Sequence, residues 1–317
     1  MSGVEPLGVQ STALAVLGAA NWHRLPDAGL SGLNYDCTPL QVVLTAGSDR
    51  VGIRLLGDPC CDVPDPADRY DASLNAMLCV LESAGSKSLG ALLRRTLELN
   101  LPRERALLSD YPDGVMWLGA GLDGPGLAMY VDCRRGGHTV ALERLHTWLR
   151  AVCGDTSDVA SLVSALRNNT LLMCLGIEGL SFANARAKVY WRLDRPAELK
   201  SLGIPGFADS AFTQFLSLLV GDRRIRLSGI VLNAGIHVNG GEWADVKLDV
   251  CGCRNCLNLT QEEAAAAISA LTSHFGLLPL PVADILEYGE FAFCGLGIDV
   301  RGQRRLNVYI KPRIEPS

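Results

Sequence analysis

The sequence predicts an α/β fold in which ten antiparallel strands close into a barrel with helices around its outside. Three observations lead there: a hairpin that recurs five times, helical segments between the hairpins, and second strands with one apolar and one charged face. The hairpins follow one another at intervals of roughly 55 to 70 residues, the signature of an internal repeat. They are "LQVVLTAGSDRVGIRLLGD", turning at Gly47 to Asp49; "VMWLGAGLDGPGLAMYVDC", turning at Asp123 to Gly126; "LLMCLGIEGLSFANARAKVYWRL"; "IVLNAGIHV" running through "NGGE" to "ADVKLDVCG"; and "FAFCGLGIDVRGQRRLNVYIKPR". Every turn contains Gly, Asp or Asn, the residues that tolerate the backbone angles of tight hairpins.

Helical patterns fill the intervals: "RYDASLNAMLCVLESAG" with "SLGALLRRTLEL", "ALERLHTWLRAVC" with "DVASLVSALRNN", then "SAFTQFLSLLVG", then "TQEEAAAAISALTSHFG". In the last, Thr260 and Glu263 form a capping box and Gly276 closes the helix. The order strand, strand, helix, helix therefore repeats five times, and residues 1–317 are expected to form a single domain.

In the second strands, Val51, Ile53, Leu55, Leu127, Met129, Val131, Val189, Trp191, Leu193, Val246, Leu248, Val250, Leu306, Val308 and Ile310 share one parity and are expected to lie under helices. Their alternates are polar. "RAKVYWRL" shows the pattern best, with Arg186, Lys188, Tyr190 and Arg192 on one side of the strand. A flat sheet would leave that side in bulk water, whereas ten strands that close on themselves remove their edges and turn it inward. A lumen of ten strands is too wide for side chains alone, so it should hold ligands and water. Seven cations (Arg54, Arg186, Lys188, Arg192, Lys247, Arg305, Lys311) then face three acids (Asp132, Asp245, Asp249) inside a chain of net charge −5. Such an excess calls for an anion, and Arg with Lys suits phosphate oxygens. Tyr130, Tyr190 and Tyr309 stand at comparable depths, where their ring faces can stabilise a cation. Arg192, Asp245 and Lys311, close to strand ends, read as solvated. The alternative is a structural barrel in which the cations pair with Asp132, Asp249 and Glu178.

The acidic balance argues against a nucleic-acid partner, which needs a basic face. The opening "MSGVEPLGVQSTALAVLGAA" has no Lys or Arg before Arg24, unlike a secretory signal, and no apolar stretch reaches 18 residues, so neither export nor a membrane span is expected. Eleven scattered cysteines read as reduced thiols of a cytoplasmic protein. The cluster Cys251, Cys253 and Cys256 lacks a fourth zinc ligand at a usual spacing and reads as a strand end entering a turn. His146 and His274 fall in helices as surface residues. His237 shares parity with Asn233 and, with Trp117, is a candidate for an acceptor pocket inside the lumen.

The five-fold repeat, with Arg186, Lys188 and Tyr190 as an R-x-K-x-Y strand, resembles the ABBA aromatic prenyltransferases. More narrowly, "YDCTPLQVVL", "GAGLDGPGLAMYVDC" and "GLGIDVRGQRRLNVYIKP" resemble the cyanobactin peptide prenyltransferases, over roughly residues 30 to 312. The resemblance implies an ABBA barrel that transfers a dimethylallyl or longer prenyl group (from DMAPP or GPP) to a side chain of a ribosomal or cyclic peptide. It implies that Arg54, Arg186, Lys188, Lys247 and Arg305 hold the diphosphate and that Tyr130, Tyr190 and Tyr309 shield the allyl cation. Asp36, Glu178 and Asp249 are the candidate proton acceptors. Two departures stand out: Ala128 where the second repeat often has Lys, and Leu40 and Gln41 where the peptide enzymes carry Glu. No DDxxD-like run is present, so any Mg2+ that assists would rest on the diphosphate oxygens and one or two carboxylates. After the last strand only "PRIEPS" follows, too short to cap the barrel, which implies a mouth open to a peptide unless a loop such as "GDPCCDVPDPAD" covers it. The rival readings are a small-molecule aromatic prenyltransferase and a non-catalytic barrel that carries an anionic lipid.

Overall fold

The structure, a computed structural model, describes residue 18 and residues 31–34, 36–122, 126–168, 170–252 and 256–313. The expectations placed on the opening segment, on most of the Asp123 to Gly126 turn, on Cys253 and on residues 314–317 fall outside the described residues.

Ten strands form the barrel: β1 (Leu40–Ala46), β2 (Val51–Gly57), β3 (Met116–Gly121), β4 (Leu127–Asp132), β5 (Thr170–Gly179), β6 (Arg186–Leu193), β7 (Ile230–His237), β8 (Trp243–Cys251), β9 (Gly289–Asp299) and β10 (Arg304–Pro312). Each pairs antiparallel with its neighbours in sequence, and β1 closes on β10 through the register Val42↔Ile310 to Ala46↔Leu306. Consequently every hairpin turn lies at one end of the barrel and every helical connection starts and finishes at the other. These are the hairpin end and the helix-linked end.

Outside the barrel lie α1 (Pro66–Ser83), α2 (Lys87–Asn100), α3 (His138–Cys153), α4 (Ser157–Ala165), α5 (Ala211–Val220), α6 (Gln261–His274) and a short α7 (Val282–Leu286). Local chemistry sets their ends. Asp65 accepts from the amides of Ala67 and Asp68 and Pro66 opens α1; the capping box at Thr260 and Glu263 opens α6, with distances of 3.1 and 2.9 Å; Gly276, at φ +64, turns the chain out afterwards. The interval between β6 and β7 departs from the expected pair of helices. There Pro196, Gly203, Pro205 and Gly206 interrupt the pattern, so α5 is preceded only by a 3-10 turn at Leu199–Leu202.

The apolar rows of the second strands face these helices. Leu127, Trp191, Leu248, Leu306, Val308 and Ile310 are almost wholly buried and join Trp148, Phe212 and Phe215 from the helices in one continuous core. The Trp148 indole donates to Thr96 Oγ1 at 2.8 Å, which ties α3 to α2. With the outer face committed to apolar packing, strand alternation forces the polar residues into the lumen.

Candidate active site

The lumen contains a chamber of about 450 Å³, within the range of small-molecule sites. Eight cations line it (Arg50, Arg54, Arg134, Arg186, Lys188, Arg192, Lys247, Arg305) against only Glu178 and Asp249. All five residues expected to bind a diphosphate, all three tyrosines and Trp117 are on its wall.

Toward the hairpin end the cations are organised by two buried carboxylates. Asp245 Oδ1 accepts from Lys188 Nζ at 2.5 Å, while its Oδ2 takes Arg186 Nη1 at 3.1 Å and is also paired with Arg305. Glu178 Oε2 accepts from Arg186 at 2.9 Å, and its Oε1 takes Tyr130 Oη at 2.9 Å and Arg54 at 3.4 Å. Burial acts to raise the pKa of both acids, but the surrounding cations outweigh it. Lys188, Arg54 and Arg186 hold Glu178, and Lys188, Arg305 and Arg186 hold Asp245, well below the usual carboxylate range. Lys188 itself is 1% exposed, and burial pulls its ammonium down to about 8 against the opposing pull of Asp245 and Glu178.

The tyrosines occupy the middle. Tyr130 and Tyr190 meet edge to face with ring centroids 5.7 Å apart, and Tyr309 packs against Phe293 at 6.0 Å. Lys247 Nζ lies 5.1 Å from the Tyr309 centroid and 5.7 Å from that of Tyr190, so the two rings already seat a cation between them. The same ammonium donates to Tyr309 Oη at 2.6 Å and pairs with Asp249 at 2.8 Å. Burial alone would lower its affinity for the proton; Asp249 reverses the sign and raises it.

Toward the helix-linked end the wall carries Trp117, Gln41, Phe293 and Arg192. Among the polar atoms here that are buried with no hydrogen-bond partner among the described residues are Arg192 Nε and Asp249 Oδ1. Gly32 and Leu33 also line the chamber. Their segment is anchored by Ser31 Oγ donating to Asp58 at 2.6 Å and by the amide of Gly32 donating to Asp113 O at 2.8 Å; Arg69 completes that anchor, 2.8 Å from Asp58.

Several expectations need correction. Asp36 is off the chamber: it lies in the turn before β1, half exposed, and is paired with Lys311 at the rim. His237 is also absent from the wall: it is the last residue of β7, opposite Arg186 at the hairpin end, where its amide donates to Glu242 O at 2.8 Å. Asp132 is turned toward Arg134, whose Nε it accepts at 2.8 Å. Asp245 and Arg192, read as solvated strand ends, are inside: Asp245 is at the centre of the cationic cluster and Arg192 is on the wall. Arg50 and Arg134 follow strand ends in loops, where no periodicity could announce them. Gln41 and the bulged Met173 are further wall residues that the sequence reading left out. Gln41 Nε2 donates to Asn34 Oδ1 at 2.5 Å, and Asn34 Nδ2 in turn donates to the carbonyls of Thr38 and Leu40.

No protein-family model matches the chain, and no curated protein sequence matches it. Solved structures do. The 5-dimethylallyltryptophan synthase from Streptomyces coelicolor superposes with a TM-score of 0.72 at 17% identity, over 95% of this chain and 91% of that one. The 6-dimethylallyltryptophan synthase from Micromonospora olivasterospora, in complex with DMASPP and Trp, gives 0.71 at 17%, over 98% and 100%. AnaPT from Neosartorya fischeri gives 0.70 at 12%, over 94% and 85%. At these identities the likeness establishes the architecture: this chain has the closed ten-stranded barrel of the ABBA aromatic prenyltransferases.

Proposed function

We propose that the protein transfers a prenyl group from an isoprenyl diphosphate, dimethylallyl or geranyl, to an electron-rich aromatic acceptor bound in the same chamber. One observation carries this: a cluster of cations and a set of tyrosine rings that already seat an ammonium ion share one lumen. Breaking the allylic C–O bond leaves negative charge on the diphosphate and positive charge on the allyl carbons, and fixed cations with aromatic faces answer both. In this reading Arg54, Arg186, Lys188 and Arg305 take the diphosphate and Lys247 reaches it from the tyrosine layer. Tyr130, Tyr190 and Tyr309 shield the cation from water. The acceptor lies toward Trp117, its ring carbon or heteroatom forms the new bond, and its proton leaves to Asp249. Asp249 is preferred to Glu178 because its Oδ1 has no donor, whereas both oxygens of Glu178 are occupied.

A protein-held Mg2+ does not fit, since the oxygens of Glu178 and Asp245 are committed to cations and no group of three potential metal ligands occurs among the described residues. No step here runs through a metal. The similar structure solved with DMASPP and Trp favours a compact aromatic acceptor, and so do Gly32 and Leu33, which line the chamber beside Trp117. The cyanobactin-like motifs favour a peptide acceptor instead. Mass spectrometry after incubation with dimethylallyl or geranyl diphosphate and either free tryptophan, tyrosine and indole or a peptide panel separates them, with chelator present and absent. Adducts on free aromatics at equal or better kcat/KM discard the peptide. Donor binding without consumption or adduct leaves a carrier barrel and ends the enzymatic reading.

A further inference from the structure

In the lumen, glycines from the first strand of a hairpin face the charged and aromatic residues of the second strands. The register makes rows in which the two alternate: Tyr130, Gly176, Lys188, Gly235, Asp245 along one, and Lys247, Gly297, Arg305 along another. Gly295 likewise lies between Asp249 and Asn307. Each glycine is covered by its neighbour. A Cβ added at Gly176 would stand 2.8 Å from the Tyr130 ring, one at Gly297 would stand 3.1 Å from the Arg305 guanidinium, and those at Gly235 and Gly295 would overlap the carboxylates of Asp245 and Asp249.

The backbone does not ask for glycine here. None of the four has a positive φ, and a glycine inside a regular strand costs roughly 0.5–1 kcal/mol relative to alanine. What the position needs is the missing side chain, which leaves a shallow recess in the barrel wall.

We propose that Gly176, Gly235, Gly295 and Gly297 are positioning residues, whose recesses let Tyr130, Lys188 with Asp245, Asp249 and Arg305 lie flat on the wall and so set both their depth and the space left for substrates. The inference concerns geometry first and rests on the proposed transfer only for its kinetic consequence. A methyl at Gly176 has to lift the Tyr130 ring into the chamber, and one at Gly297 has to tilt the Arg305 guanidinium off Asp245.

The test compares Gly176→Ala and Gly297→Ala with Gly52→Ala, a β2 glycine whose added Cβ would meet only Thr45 at 4.0 Å. Crystal structures of the variants are read first: Tyr130 or Arg305 displaced into the lumen, with the barrel intact, is the expected result. An unmoved ring and guanidinium overturn the proposal whatever the enzyme does. Kinetics come second. A displacement of about 1 Å should lower kcat/KM by up to about 10²-fold, with Gly176→Ala releasing more prenol and Gly297→Ala weakening inorganic diphosphate, and with Gly52→Ala unchanged. In a Tyr130→Leu background, where there is no ring to displace, Gly176→Ala should have little further effect. Additive losses in that cycle would mean that Gly176 acts through stability alone and would also overturn the proposal. Should wild-type protein transfer no prenyl group, the proposed function falls while the crystallographic arm still decides the role of the glycines.

Discussion

The two ends of the chamber handle charge in opposite ways. Toward the hairpin end, Arg54, Arg186, Lys188 and Arg305 all have carboxylate partners, and no oxygen of Glu178 or Asp245 is left over. Toward the helix-linked end, Arg192 Nε and Asp249 Oδ1 are buried without a hydrogen-bond partner among the described residues. A buried polar atom left unsatisfied costs about 1–3 kcal/mol, so the second end is built less for stability than the first. Under the proposed function the contrast is a division of labour: one end would be a preformed cage that exchanges its own carboxylates for a polyanion, and the other would keep open hydrogen-bonding positions for an acceptor.

The largest expected effect comes from breaking the cage. Replacing Arg186 and Lys188 together by Ala removes two charge-assisted contacts worth about 1.5–3 kcal/mol each, so affinity for a thio-diphosphate donor analogue should fall by about 10²–10⁴-fold. Asp245 retains Arg305 and Glu178 retains Arg54, and the outer core is untouched, so the variant should stay folded. Titration calorimetry reads the loss, and circular dichroism reads the fold; unchanged donor affinity would remove these residues from the diphosphate site.

At the other end, Asp249→Asn should leave donor affinity nearly intact and lower kcat by about 10²–10⁴-fold, the usual worth of a positioned proton acceptor. Equal losses in donor affinity and in kcat would move Asp249 into the cage. Between the ends, Tyr190→Leu removes one ring face, an interaction of about 0.5–2 kcal/mol. Turnover should drop by a factor of a few to about thirty, and prenol formed by water capture should rise as a share of product; a constant prenol share would show that the ring does not shield the cation.

Much of this division was readable in the sequence, and what was not has physical causes. The five-fold repeat and the strand parity together placed the barrel, because strands with Val189, Trp191 and Leu193 on one side and Arg186, Lys188 and Tyr190 on the other bury the apolar face under helices and, once closed, turn the polar face inward. The individual contacts were less accessible. Asp245 and Arg192 sit near strand ends, where alternation cannot say whether a residue is above or below the rim; only the closed register, with Gly235 opposite Asp245, puts the carboxylate among Lys188, Arg186 and Arg305. Arg134 and Arg50 belong to loops, and loops carry no period. Asp36 and His237 failed for the converse reason: Asp36 is taken up by a rim ion pair with Lys311, and His237 keeps the lumen parity but is the last residue of β7, at the hairpin end. The lumen glycines did have a signal, recurring in "LGIEG", "NAGIH" and "CGLGID", but its meaning needed the neighbouring strand.

The smallest effect tests whether the cage depends on the protonation of its most buried member. Lys188 is enclosed among Asp245, Glu178, Arg186 and Arg305, and burial brings its proton affinity down to about 8 in spite of the two acids. Below that pH the ammonium is charged and available to a diphosphate; as pH rises through it, the folded protein loses the charge and must regain a proton to bind. Linkage then predicts that affinity for inorganic diphosphate weakens by up to about tenfold between about pH 7 and about pH 9 through this group. Diphosphate becomes more anionic over the same range, which works in the opposite direction, so the wild-type profile alone is not the readout. Lys188→Arg supplies the comparison: a guanidinium stays charged throughout, and the ratio of the two profiles isolates the lysine. Expected is a variant whose relative affinity improves steadily above about pH 8. Parallel profiles would mean that Asp245 and Glu178 keep Lys188 protonated across the range, and the cage would then be a permanently charged one.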